Sequence, residues 1–399
     1  MKTKIYTGDI SEAAEMIKNG GLVAVPTETV YGLAGNGLDE NAVKEIYEVK
    51  GRPAVKPLSL MVPDKNAIIK YCEDVPPQAE ILADKFWPGP LTIILKSRST
   101  VPDIVRAGGE TVGLRCPDHP LTLKALQAAG VPFAAPSANP SGEESPKDAE
   151  KVAEYFNGKI DGIIDGGPCG IGKESTIIDM SASPYRILRQ GALEREEIEK
   201  ALADGLEIIG ITGGTGCGKT TALNVLKSRG ALVIDCDALY HSLLENCAEM
   251  KKELESAFPE CVSDGYVDRK RLGSVVFGDN EALKKLTTIT HRYVKNKVDE
   301  LLRGYAMSGG AVAAIDAIEL FSSGLSEKCR FTVGVIAERE ERIERIMKRD
   351  NISEEYAALR IDAQPPNEYF KDKCDYILAN NGERNVFEND CEKLFKELI

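Results

Sequence analysis

Paired cysteines, long apolar runs and a basic excess are all missing from this sequence, and histidine is scarce. The ten cysteines stand at 72, 116, 169, 217, 236, 247, 261, 329, 374 and 391, with no C-x-x-C pair. That spacing excludes zinc-ribbon motifs and a compact disulfide framework, and it predicts reduced cysteines packed as small apolar side chains. No run approaches the roughly 18 apolar residues of a membrane span. The opening MKTKIYTGDISEAAEMI has no apolar signal core, so a cytoplasmic protein without membrane contact is expected. The net charge is −13, divided as −6 over residues 1–200 and −7 over the rest. Neither half has the positive balance that a phosphate backbone attracts, and no stable nucleic-acid binding is expected. His119, His241 and His291 are the only histidines, and a packing role suits each at least as well as catalysis.

What is there is an ordinary globular composition spread over 399 residues, 43% hydrophobic and 28% charged. The length suits two or three domains. QGALEREEIEKALADG (190–205) reads as a short charged helix ending at Gly205, and LEIIGIT follows as a buried strand. The junction falls near 203–206, without a Gly/Ser-rich or Pro-rich linker, giving domains 1–203 and 204–399. Before it, helical patterns such as SEAAEMIKNG alternate with the β-branched runs GLVAVPT, LTIILK and STIIDM. This predicts an α/β domain rich in loops. After it, EIIGIT, ALVIDCD, AVAAIDAI and FTVGVIA are separated by helical patterns, the alternation of a parallel sheet flanked by helices.

GITGGTGCGKTT (210–221) contains G-x-x-x-x-G-K-[ST] between a strand and a helix. The loop Gly213, Gly214, Thr215, Gly216, Cys217, Gly218 turns backbone N–H groups toward phosphate. Lys219 reaches the β- and γ-phosphates of ATP, the Thr220 hydroxyl suits Mg²⁺, and Thr221 completes the motif. Asp235 and Asp237 end the next strand, where a carboxylate can deprotonate an acceptor hydroxyl or cap the following helix. The ordered set GITGGTGCGKTT, VIDCDALYH, DGYVDRKRLGSVVFGD, LKKLTTITH, RIMKRD, RIDAQ and CDYILANNG resembles dephospho-coenzyme A kinase. The resemblance implies a P-loop kinase that phosphorylates the 3′-hydroxyl of dephospho-CoA with ATP. It also implies Asp237 as base, Arg349 beside the ATP phosphates, and Asp237, His241 and Arg360 at the acceptor. Two departures concern the acceptor pocket. DAIELFSSGL (316–325) keeps Asp316 but has Ser322 where the family commonly has a carboxylate, with Glu319 nearby, and Arg292 replaces a proline after His291.

In the first domain, PTETVYGLAG, KGRPAVKPLSLM, APSANPSG and GKESTIIDM carry more polar functional groups than a plain core needs. Lys50 and Arg52 lie on one face if the chain is extended there, and Ser137 and Asn139 alternate similarly. Paired cations suit a polyanion or carboxylate. With FWPGPLT, VGLRCPDHP and ILRQGAL, these motifs resemble the YrdC-domain family of threonylcarbamoyl-adenylate synthases. A twisted open α/β sheet is then implied. So is a reaction of L-threonine, bicarbonate and ATP that gives threonylcarbamoyl-AMP and pyrophosphate, with hand-off to the machinery of tRNA t6A modification. The resemblance places Lys50, Arg52, Ser137 and Asn139 around the ATP phosphates, with Lys56, Thr111 and Arg189 also at the nucleotide. Thr29, Arg115 and Ser175 are implied at threonine. Lys56 and Met61 replace Asn and His of other members.

Rival readings are an RNA-binding first domain, opposed by the acidic balance, and a hydrogenase-maturation carbamoyltransferase, opposed by the lack of paired-cysteine zinc motifs. A kinase for another nucleoside-like hydroxyl is the alternative for the second domain.

Overall fold

The computed structural model describes residues 2–263, 265–276 and 278–399; Asp264 and Phe277 of the kinase-like stretch 264–279 lie outside them. The chain divides into two compact units. One runs to Gly205 and takes in Met307–Gly309, and the other holds Leu206–Ala306 and Gly310–Ile399. Among the described residues no helix is long and apolar enough to cross a membrane. All ten cysteines are free, and six of them are buried.

The first unit is built on ten strands: β1 (Lys4–Tyr6), β2 (Val23–Val25), β3 (Gly32–Asn36), β4 (Ser59–Met61), β5 (Leu91–Lys96), β6 (Thr111–Arg115), β7 (Phe133–Ala134), β8 (Gly162–Ile164), β9 (Thr176–Asp179) and β10 (Arg186–Arg189). They form one mixed sheet in the order β1-β8-β2-β3-β7-β4-β6-β5-β9-β10. The expected runs GLVAVPT, LTIILK and STIIDM supply β2, β5 and β9. Ile10, Ile17, Phe133 and Ile164 are buried together in its core, each contributing roughly 1.5–3 kcal/mol by leaving water. Helix Glu40–Lys50 starts at Asp39, whose side chain accepts from the Asn41 N–H, and stops at Gly51 in the left-handed conformation. That stop corrects the extended reading of the Lys50–Arg52 stretch. Lys50 is the last helical residue, and Gly51 reverses the chain before Arg52, a turn that glycine makes without steric cost.

In the second unit β11 (Glu207–Thr212), β12 (Leu232–Asp235), a small hairpin of β13 (Val262–Ser263) and β14 (Tyr266–Val267), β15 (Val312–Asp316), β16 (Phe331–Ile336) and β17 (Tyr376–Ala379) follow in sequence. Five of them form a sheet in the order β12-β15-β11-β16-β17, and every pairing in it is parallel. Its residues are apolar because helices cover the sheet. Helix Lys219–Ser228 and helix Arg384–Leu398 pack Leu226, Phe387 and Phe395 against Ile209, Ile211, Val333 and Val335. The register brings Asp235 opposite Asp316 at the carboxyl ends of β12 and β15, where open α/β sheets place their ligands.

Candidate functional site

Each unit has its own site. In the first, a cleft is lined from seven neighbouring strands or the loops that follow them: Gly32, Ser137, Ser59 with Met61, Arg115, Thr92, Ile177 and Arg189, with Arg52 and Glu174 from loops. Ser59 and Met61 reach it together because alternate strand residues share a face. Arg115 is buried; its Nη2 donates to Glu28 Oε1 at 2.7 Å and to Thr29 Oγ1 at 2.8 Å. Its Nε donates to the Gly89 carbonyl at 3.3 Å. Arg189 binds Ser175 twice, from Nε to the carbonyl and from Nη2 to the hydroxyl, both at 3.0 Å. Ser175 Oγ also meets Thr92 Oγ1 at 2.9 Å. Arg52 donates to the Pro57 carbonyl at 3.0 Å. Burial lowers the pKa of Arg52 and of Arg189, while a hydrogen bond from Ser145 lowers that of Glu174. Three guanidiniums against one lining carboxylate make the cleft suited to an anion.

Lys50 has a different task. Its buried ammonium donates to the Ser137 and Asn139 carbonyls, fixing the loop that carries Ser137 into the cleft. Burial, with Arg52 nearby, brings its pKa down to about 7. Asn139 Nδ2 donates to the Glu143 carbonyl at 2.7 Å, and its Oδ1 is buried without a hydrogen-bond partner among the described residues.

In the second unit the loop between β11 and helix Lys219–Ser228 wraps a helix N-terminus. Gly213 has φ 139° and Gly218 φ 104°. A Cβ would sit 2.1 Å from the Val335 carbonyl oxygen at Gly213, and 2.1 Å from Asn380 Nδ2 at Gly218. Both positions therefore require glycine on conformation and on space. Lys219 Nζ donates to the Gly213 carbonyl at 3.0 Å and lies 3.8 Å from Asp316 Oδ1. Burial first, then Asp235 and Asp237, push the Asp316 carboxyl up to about 6 against the pull of Lys219. Asp237 is also raised, by burial foremost. Helix Arg339–Asp350 supplies a guanidinium stripe, because residues three and four apart share a helix face. Arg342 Nε donates to the Thr215 carbonyl at 2.9 Å, Arg345 Nη1 to the Gly216 carbonyl at 3.5 Å, and Arg349 Nη2 to Thr215 Oγ1 at 3.5 Å. A mostly apolar pocket beside this loop is lined by Asp237, Tyr240, Leu286, His291, Val294 and Glu319, among others.

The chain matches two family models: Sua5/YciO/YrdC, described as telomere recombination, over residues 15–191, and dephospho-CoA kinase over 207–385. It is 48% identical to the threonylcarbamoyl-AMP synthase of Pyrococcus abyssi, over 51% of this chain and 60% of that protein. It thus spans less than two thirds of that relative. A Methanocaldococcus jannaschii protein provisionally given the same name is 40% identical, over 46% of this chain and 86% of that one. The dephospho-CoA kinase of Geobacter sulfurreducens is 33% identical, over 48% of this chain and 98% of its own length. The chain belongs to both families.

Of the residues expected at the synthase-family site, Arg52, Arg115, Ser137, Ser175 and Arg189 line the cleft, as does Met61. Lys50, Thr29 and Asn139 are buried and are not among the lining residues. Thr29 hydrogen-bonds Arg115, and Lys50 holds the Ser137 loop. Lys56 is exposed and is not among the lining residues; its carbonyl accepts from Arg52 Nε at 3.3 Å. Thr111 starts β6 beside Lys96 and is also absent from the lining.

At the kinase-family site the structure brings Gly213, Gly214, Thr215, Gly216, Cys217, Gly218 and Lys219 into the loop, with Thr220 and Thr221 in the first turn of the helix. Asp235 caps helix Cys236–Asn246, accepting from the Ala238 N–H at 2.9 Å. Arg349 and Arg360 both pair with Asp350, at 2.7 Å and 2.5 Å, and Arg360 does not line the pocket beside the loop. His241 pairs with Arg269 at 3.3 Å and is likewise outside that lining. Sequence reasoning missed Glu28, Thr92 and Glu174 in the first unit, although each lies inside a quoted motif. It also missed Arg342 and Arg345, whose 342-345-349 spacing was the available signal. Asn380, whose Nδ2 donates to the Cys217 carbonyl at 2.9 Å, is brought in from β17's far end by the fold alone.

A nucleoside triphosphate at these residues would bring Mg²⁺ with it. Among those described, no three His, Cys, Asp or Glu side chains are grouped to hold a metal. Mg²⁺ at nucleotide sites needs only one or two protein oxygens besides phosphate and water. The exposed Thr220 hydroxyl, in the first turn of the helix after the loop, fits that demand.

Proposed function

We propose that the chain is a bifunctional enzyme. Its first unit makes L-threonylcarbamoyladenylate and pyrophosphate from L-threonine, bicarbonate and ATP. Its second unit phosphorylates the 3′-hydroxyl of dephospho-CoA with ATP, giving CoA and ADP. The carrying observation is that two anion-suited sites stand in separate compact units, one an arginine cleft and the other a phosphate loop.

In the first unit threonine's amine captures CO₂ from bicarbonate, and a carbamate oxygen attacks the α-phosphorus of ATP as the bond to pyrophosphate breaks. Arg52 and Arg189 oppose the charge on the phosphates. Arg115, oriented by Glu28 and Thr29, faces the threonine carboxylate beside Ser175. Lys50 acts by positioning the Ser137–Asn139 loop. The adenylate then passes to the t6A machinery.

In the second unit Asp237 accepts the proton of the acceptor hydroxyl, whose oxygen attacks the γ-phosphorus while ADP leaves. The raised pKa of Asp237 makes it a better proton acceptor than an ordinary carboxylate. Lys219 and Arg349 stabilise charge on the transferring group. Thr220 would hold Mg²⁺, which would supply charge neutralisation to the nucleotide phosphates.

The test is product analysis with ATP and Mg²⁺. Threonine with bicarbonate should elicit pyrophosphate, and dephospho-CoA should elicit ADP. Lys219→Ala should abolish only the ADP, and Arg52→Ala should suppress only the pyrophosphate. Absence of either acceptor-dependent product from the unaltered chain overturns that half of the reading.

A further inference from the structure

The pocket beside the phosphate loop holds a second carboxylate that the reaction above does not use. Glu319 lines it from the segment after β15, opposite His291 on the long helix Asn280–Met307. Glu319 Oε2 is fixed from two sides, 3.4 Å from His291 Nε2 and accepting from Ser322 Oγ at 3.1 Å. The hydrogen bond from His291 leads in holding its carboxyl below the ordinary range, with Ser322 adding to it against burial. Glu319 is therefore an anion at neutral pH. Its side chain is 61% exposed, so it does not owe its place to core packing. Oε1 accepts no hydrogen bond from any described residue.

A fixed carboxylate with one oxygen free, in a pocket that it shares with Asp237 and with the apolar side chains of Leu286, Val294 and Leu325, has an evident ligand chemistry. It accepts from a hydroxyl or amide N–H and repels an anion. We propose that Glu319 is a specificity-determining residue of the kinase half. Its Oε1 accepts a hydrogen bond from a neutral donor group on the acceptor, and its charge excludes acceptors that place a phosphate or carboxylate there. This rests on the kinase reading above. Positions 319 and 322 are three apart, and their side chains already meet. A carboxylate carried by residue 322 therefore reaches the same place, which explains how Ser322 is compatible with an acid-lined pocket.

The experiment measures KM for dephospho-CoA and for ATP with the full chain. Glu319→Leu should raise the dephospho-CoA KM by about 10- to 100-fold, the loss of a hydrogen bond to a charged group, with the ATP KM within about twofold of the parent. The double variant Glu319→Leu/Ser322→Glu should recover most of that loss. Glu319→Gln, which keeps an acceptor oxygen within reach of His291 and Ser322, serves as the variant safest for folding. It should raise KM less and relax the exclusion of anionic acceptors. An unchanged dephospho-CoA KM in Glu319→Leu overturns the assignment while leaving the kinase reading intact. So does an equal rise in both KM values, or no recovery in the double variant. No dephospho-CoA-dependent ADP from the unaltered chain overturns the kinase reading, and the assignment with it.

Discussion

Glu28→Ala removes one member of the buried pair that orients Arg115. The two side chains are only 12% and 8% exposed, at 2.7 Å, so water does little to replace the lost carboxylate. The guanidinium keeps only neutral partners, the Thr29 hydroxyl and the Gly89 carbonyl. The Asp118 N–H, which donates to Glu28 Oε2 at 3.0 Å, loses its acceptor as well. Breaking a buried pair from one side costs about 3–5 kcal/mol. With a denaturant slope of about 2 kcal/mol per M, the urea midpoint should fall by about 1.5–2.5 M. The assay can be confined to the first unit because Trp87 is the only tryptophan and its indole N–H donates to the Leu91 carbonyl at 2.7 Å within that unit. Tryptophan-selective fluorescence therefore reports its unfolding. Glu28→Gln, which retains the hydrogen bonds, should lose about half as much. A midpoint shift under about 0.5 M for Glu28→Ala would match a solvated surface pair and refute the argument from burial.

Lys50 gives a pH signature. Its pKa is lowered from 10.5 to about 7 in the folded chain, so between these values the unfolded chain holds a proton that the folded chain has released. Stability should therefore rise with pH there, by up to about 1.4 kcal/mol per pH unit. The Trp87 urea midpoint of Lys50→Met should lack that rise; a parent-minus-variant difference that stays flat from pH 7 to 9 is the contrary result. Asp316, raised to about 6, becomes neutral below that pH and ceases to be the anionic partner of Lys219. Dephospho-CoA-dependent kcat should fall below pH 6, and Asp316→Asn should lose the inflection at reduced rate; an inflection that persists in the variant assigns it elsewhere. Thr220→Ala should raise the Mg²⁺ concentration for half-maximal ADP formation by about tenfold, the loss of one oxygen contact to a charged group, and leave pyrophosphate formation by the first unit unchanged. An equal Mg²⁺ requirement in parent and variant counts against the hydroxyl as a ligand.

The sequence by itself determined whatever depends on neighbours along the chain. Strand, glycine loop and helix around Lys219 were legible because a phosphate loop is one continuous segment, with glycines at positions that permit no side chain. The buried strands β11, β15 and β16 were legible because consecutive residues, which face opposite sides of the sheet, are buried and leave no polar alternation. The ends of helix Glu40–Lys50 show where such reading stops. Motif spacing paired Lys50 with Arg52, but the left-handed Gly51 parts them. Only the fold could show that the Lys50 ammonium turns onto the Ser137 and Asn139 carbonyls, 87 and 89 residues away. Tertiary structure likewise decided that Arg115 is held by Glu28, that Asn380 supports the phosphate loop, and that Glu319 faces His291. Each of these contacts joins distant segments whose approach is set by sheet order and helix packing. Local propensity carries no record of which polar groups a collapsed core will force together.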